Sequence, residues 1–195
     1  MDLALSVCLG IGLAAACGFR VFVPLLGISL AALAGHAQLA DGMAWIGTWP
    51  AFICFLTATV LEIGAYYVPW IDNLLDSIST PAAVIAGTIA VASVVTDTSP
   101  MMRWTLALIA GGGTAGLIQA STVAIRGTST ATTAGTANWL VATCELLAAI
   151  GATVLSMVMP FAAAAAVALI IICGLMYFFR KPVGTTGNEP RGTSF

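Results

Sequence analysis

Four ionisable residues, Arg20, Glu62, Arg126 and Glu145, stand inside or at the edge of long apolar runs. A guanidinium and a carboxylate brought together in such surroundings neutralise each other and still leave hydrogen-bonding capacity for a ligand. They are expensive to bury: a charge at a bilayer centre costs at least ~2.5–3.5 kcal/mol on insertion scales, so it needs a partner or a watery pocket. The four residues therefore mark a candidate substrate-binding cavity. The arginines would attract an anionic or polar group, and the glutamates would balance charge or carry a proton. The plainer alternative for any one pair is a structural ion pair that fixes helix register. An arginine that closes a segment, followed by a glutamate in a later helix, occurs twice: Arg20 with Glu62 and Arg126 with Glu145, 42 and 19 residues apart. This loosely echoes the duplicated units at whose interface transporter sites form.

A secondary acidic pair, Asp72 and Asp76, lies in VPWIDNLLDSISTP (68–81). Four residues apart, the two acids share a helix face, with Ile71, Leu74, Leu75 and Ile78 on the other, which describes an amphipathic element at a membrane interface. Solvated surface acids are the commoner reading, and a segment folded inward would bring them to Arg20 or Arg126. The lone His36 cannot assemble a metal site. The five cysteines (Cys8, Cys17, Cys54, Cys144, Cys173) are odd in number, sit in apolar runs and lack CxxC spacing, so neither a disulfide framework nor a zinc site is expected. Gly111, Gly113 and Gly116 spell GxGxxG, but no strand precedes them, which excludes a dinucleotide site. Gly112 and Gly116, at GxxxG spacing, instead form a helix-packing face and a candidate contact between two copies. With no nucleophile–base pair or HExxH motif, no enzyme, cofactor or metal is expected.

The elements that must hold these residues are membrane helices. The chain has 195 residues, 60% apolar and 7% charged, with mean hydropathy +1.05, whereas an ordinary soluble domain is about one-quarter charged. That composition excludes a soluble enzyme, and a net charge of −2 offers no basic stripe for nucleic acid. A hydrocarbon layer of about 30 Å needs roughly 20 apolar helical residues. Uncharged runs at 42–61, 77–96, 104–125 and 127–144 can each hold a span. The 34 uncharged residues from Leu146 to Phe179 are too many for one crossing, and Pro160 splits them into spans near 138–158 and 161–179. Arg20 divides the first 35 residues into short segments, 3–17 and 20–35, forming either two crossings or a re-entrant hairpin bent near Gly18.

The hydroxyl-rich run GTSTATTAGT (127–136) reads equally as a loop or as a broken, re-entrant element whose hydroxyls line a wet cavity. The fold class is thus all-α, a polytopic bundle of six to seven hydrophobic segments with short or re-entrant elements near 3–35 and 126–137. Residues 1–181 form one transmembrane domain, and 182–195 form a disordered tail. Arg180, Lys181 and Arg191 put that tail on the cytoplasmic side, which places Arg20, Arg126 and the 68–78 connection inside; Arg103 alone breaks the rule. Trp45, Trp49, Trp104 and Trp139 fall near segment ends, as interfacial aromatics do.

Three stretches together, LGIGLAAACGFRVFVPLLGISLAA (9–32), WIGTWPAFICFLTATVLEIGAYYVPWIDNLLDSI (45–78) and the glycine-rich helix from Gly111 to Arg126, resemble the bacterial integral-membrane family catalogued as domain of unknown function 4126. The family pattern falls on Gly18, Arg20, Phe22, Pro24, Glu62, Pro69, Asp72, Asp76, Gly111, Gly112, Arg126 and Glu145. The chain departs from it at Ala65 and Tyr66, where an Asp-Lys pair is frequent, and at Gln119 and Ser121, where His and Lys are. The resemblance implies a polytopic helical protein of a bacterial inner membrane and supplies no activity. The leading expectation is a small transporter or permease for a polar or anionic solute. Its partners would be membrane lipids and a second copy of itself, and the alternative is a structural or assembly subunit of a larger membrane complex.

Overall fold

A computed structural model describes residues 2–180, without the side chains of residues 69, 70, 72–74, 175 and 177–180. The tail expected at 182–195 lies outside the described residues, as does the side chain of Asp72. Among the described residues the protein is helical and has no strands. The helices are α1 (Leu3–Phe19), α2 (Phe22–Leu33), α3 (Trp49–Ala65), α4 (Pro69–Val94), α5 (Pro100–Leu106), α6 (Gly113–Thr133), α7 (Asn138–Val158) and α8 (Pro160–Arg180). A π-helical segment, Ala107–Gly112, joins α5 to α6, so Pro100–Thr133 is one rod of 34 residues. That rod, Leu75–Val94 within α4, and α7 are long and apolar enough to cross a membrane.

Helix boundaries follow local chemistry. Prolines occupy the first turns of α3, α4 and α5, where a missing N–H costs nothing. The hydroxyls of Thr48 and Ser99 cap α3 and α5 by accepting from the N–H groups of Ala51 and Met102. Pro160 breaks the long apolar run into α7 and α8, as its inability to continue a helix requires.

Two segments differ from the sequence expectation. The 68–81 connection is no separate interfacial element; it is the beginning of α4, which continues through Pro81. Pro69 starts the helix at its first position, and the acids interrupt hydropathy without interrupting backbone hydrogen bonding. The 127–136 run is neither a loop nor a re-entrant break over most of its length, because α6 continues to Thr133. The hydroxyls of Thr128, Thr132 and Thr133 donate to carbonyls one turn back in the same helix, whereas Thr130 of the same run lines an open cavity. Ala134 and Gly135, both at positive φ (52° and 80°), then turn the chain into α7. At 1.5 Å per residue the 34-residue rod is about 51 Å long, longer than an apolar layer of about 30 Å. Its hydroxyl-rich turns are the surplus.

α1 is the central helix. Leu13–Cys17 are at most 1% exposed, and its glycines let neighbours close in. A Cβ on Gly18 would lie 2.6 Å from Ile118 and 2.7 Å from the Ala115 carbonyl, so α6 passes directly against the last turn of α1. A close backbone-to-backbone approach lies one residue away from the GxxxG pair, where a Cβ on Gly111 would run into the Gly87 carbonyl of α4. Gly112 and Gly116 also face α4 of the same chain, against Thr88 and Val84. These contacts fix the register of α4 on α6, which carries Asp76 and Arg126 to the same end of the bundle.

Candidate functional site

The site begins at the break between α1 and α2. Pro24 has no N–H, and its ring would clash with the carbonyl of Arg20 in a continuous helix. The chain responds with one extended residue, Arg20 (φ −144°, ψ 122°), before α2 starts. The new N-terminus leaves the N–H groups of Val21 and Phe22 without intrahelical partners. Glu62, near the end of α3, accepts both, Oε1 from Val21 at 2.8 Å and Oε2 from Phe22 at 3.1 Å. Both of its oxygens are committed to capping a helix whose dipole favours negative charge there. Glu62 thus performs a structural task at the edge of the site.

Arg20 itself is 1% exposed. Its Nη2 donates to the Ala142 carbonyl of α7 at 2.7 Å and lies 3.7 Å from Glu145 Oε2. Its Nε and Nη1 find no acceptor among the described residues. Arg126, from α6, forks onto Glu145 of α7: Nε donates to Oε1 at 3.0 Å and Nη2 to Oε2. The Arg126 Nη1 also lies 3.6 Å from Asp76 Oδ1 of α4. One carboxylate is therefore shared by two arginines, with a second carboxylate behind the outer one.

Between the arginines stands Tyr66, which follows α3 directly. The Arg20 guanidinium carbon is 3.9 Å from its ring centroid and that of Arg126 is 4.0 Å, distances at which a cation is attracted to the aromatic face. The Tyr66 hydroxyl is fixed by Ser79 Oγ of α4 at 2.8 Å. Nearby, the Tyr67 hydroxyl meets Thr143 Oγ1 at 2.9 Å and ties the end of α3 to α7.

The stack runs from the surface inward. Asp76, Ser77, Thr80, Val123, Arg126, Gly127, Thr130 and Ala131 line an open cavity of about 590 Å³. Arg126 forms part of its wall, and the Tyr66 ring lies against both Arg126 and the more deeply buried Arg20. The four residues singled out by sequence do gather at one end of the bundle, but in unequal roles. Arg20, Arg126 and Glu145 form the ionic core, Asp76 joins them, and Glu62 caps α2. The supposed repeat of arginine–glutamate pairs is not matched by equivalent pairing, because Glu145 serves both arginines. Sequence reading missed Tyr66, treating it only as a departure from a family pattern; its place one helical turn after Glu62, and hence on the same face, was the available signal. Among the described residues no group of histidine, cysteine and acidic side chains could hold a metal ion.

A family model described as a domain of unknown function, DUF4126, matches residues 7–180, and the chain belongs to that family. No curated protein and no solved structure matches it. The apolar helices and the family together describe an uncharacterised, multi-helix membrane protein.

Proposed function

With a family that carries no assigned activity as the premise, we propose that the protein is a small membrane transporter of permease type that admits a polar or anionic solute to the Arg20–Arg126 site. One observation carries the reading. Arg20 is buried with two of its three guanidinium nitrogens lacking acceptors among the described residues, against the same Tyr66 ring as an arginine that lines an open cavity. A buried donor without a partner is costly, and an arginine presents its donors in a geometry suited to oxygen acceptors of a ligand. In this reading the solute enters beside Arg126 and displaces the Tyr66 ring. It then reaches Arg20 while Glu145 maintains charge balance. The cytoplasmic side and an inner bacterial membrane are the location consistent with the basic residues near Phe179, and a dimer would supply the walls that a chain of this size lacks.

The second reading, a structural subunit of a larger membrane complex, is favoured by a different observation: Glu62 and Glu145 are fully engaged by protein donors, as groups that only fix helix register would be. Solute flux into vesicles separates the two. Arg20→Ala and Arg126→Ala should each abolish uptake by the purified, reconstituted protein, while size-exclusion profile and helical content stay those of the parent. Uptake unchanged in both variants rejects the transport reading.

A further inference from the structure

We propose that a second cavity, beside the first part of α1, binds one acyl tail of a membrane phospholipid, with the lipid head at His36 and Gln38. The site is separate from the Arg20–Arg126 cluster and does not depend on the transport reading. Its volume, about 630 Å³, falls in the range of about 300–1,000 Å³ that holds a small molecule. Leu5, Leu9 and Leu13 recur every fourth residue and so form one face of α1. Ile28 of α2, Val94 of α4 and Met157 of α7 complete the apolar wall.

The wall is graded. Gly35, His36 and Gln38 are exposed, Leu5 and Leu9 are half-buried, and Leu13 and Ile28 are at most 1% exposed. The polar residues therefore mark the mouth, and Leu13 with Ile28 marks the floor. The mouth lies where helices end: Val94 is the last residue of α4, Met157 the last but one of α7, and Pro160 the first of α8. Leu75–Val94 and α7 are both long and apolar enough to cross a membrane, so their shared end is where hydrocarbon gives way to head groups. Leu5 to Leu13 is eight residues of helix, about 12 Å. That is close to the depth of one leaflet in a hydrocarbon layer of about 30 Å. A tail entering at the mouth lies along α1 in the same direction as the lipids around the protein.

Other contents fit poorly. Water needs about two to four polar partners, which a leucine face does not supply. An empty space forfeits dispersion contacts along its wall. Lipid tails are as apolar as leucine, so a tail passing from the bilayer into the cavity gains no hydrophobic free energy; it gains those contacts, and hydrogen bonds at its head. The Gln38 amide and the His36 ring N–H are donors, and the phosphate and ester oxygens of a phospholipid are acceptors. Donors at the mouth above a hydrocarbon floor describe the complement of an amphiphile, and phospholipid is the amphiphile that surrounds a membrane protein.

The test uses the full chain in nanodiscs of phosphatidylcholine doped with phosphatidylcholine that carries a diazirine at the end of one tail. Irradiation is followed by peptide mass spectrometry to map the cross-links. Label is expected at the inner wall, on Leu9, Leu13 or Ile28, and on the exposed Leu169 and Ile170 of α8, which report the surrounding bilayer. Ala31→Trp, which fills the cavity from α2, should lose the inner label and keep that on α8. His36→Ala combined with Gln38→Ala should keep the inner label but lose the lipid that the parent retains through detergent exchange, read by native mass spectrometry. Label confined to α8 in the parent overturns the proposal, whether or not any variant folds. Inner label from diazirine-tailed palmitic acid but not from the phospholipid also overturns it, since the occupant would then be a free fatty acid. So does inner label that survives Ala31→Trp in protein with the parent's helical content, because the tail would be reaching α1 by another route.

Discussion

Two cavities of similar size and opposite character border the bundle, one between α4 and α6 and one beside the first part of α1. In one, Arg126, Asp76 and the hydroxyls of Ser77, Thr80 and Thr130 wall a space of about 590 Å³, with the Tyr66 ring against Arg126. In the other, Leu5, Leu9, Leu13, Ile28, Ala31, Val94, Met157 and Pro160 wall a space of about 630 Å³ whose polar side chains, His36 and Gln38, lie in the connection that follows α2. Between them Leu13–Cys17 is closed off from solvent. Volume alone therefore distinguishes nothing. The difference lies in what each wall demands: the apolar end is satisfied by any hydrocarbon, whereas the polar end holds charges that must be paired at specific atoms. The polar end constrains sequence more tightly, and Arg20 behind it keeps two guanidinium nitrogens without acceptors among the described residues.

The largest expected effect tests that asymmetry at its centre. Glu145→Ala leaves Arg20 and Arg126, both against Tyr66, without their shared carboxylate. Removing one partner of a buried pair costs on the order of 3–5 kcal/mol, so unfolding in mixed micelles should shift by that amount, or the variant should fail to accumulate. A shift under about 1 kcal/mol, the range of exposed pairs, would mean the cluster is not dry and the contrast between the ends is overstated. The smallest effect belongs to the opposite cavity. Ala31→Leu adds apolar atoms to a wall that already consists of them and has room, so stability should stay within about 0.5 kcal/mol of the parent and vesicle uptake should be unchanged. Loss of uptake in Ala31→Leu would show that the apolar cavity belongs to the pathway.

Part of the fold was legible because hydropathy is a local property: the split at Pro160 and the break at Arg20 both fall at helix boundaries, whereas the uncharged run 127–144, expected to hold a span of its own, is divided between the end of α6 and the start of α7. Charge was a poorer guide to boundaries. Asp72 and Asp76 suggested a separate element where α4 runs on unbroken, and the hydroxyls of 127–136 suggested irregular backbone where they bond to their own helix. The candidate site was legible in its ionic members, since Arg20, Arg126 and Glu145 are costly wherever they are buried. Two things were not. The role of Glu62 depends on Pro24, which creates the orphan N–H groups that Glu62 accepts, and that link spans elements 40 residues apart in sequence. The role of Tyr66 depends on Arg20 and Arg126, 106 residues apart in sequence, both reaching its ring, which the close contact of α1 and α6 at Gly18 permits and no local pattern records. Tertiary geometry decides both.

The central claim is that Arg20, though buried, keeps donors for a ligand that arrives past Arg126. Nuclear magnetic resonance of isotope-labelled arginine side chains in the reconstituted protein tests it most directly, with Arg20→Lys to assign the signal and Arg103, at the other end of the bundle, as the internal comparison. The account predicts that nitrate shifts the Nε–H resonance of Arg20 in a saturable way and leaves that of Arg103 in place. An Arg20 resonance indifferent to every small oxyanion, in protein whose Arg126 responds, would contradict it.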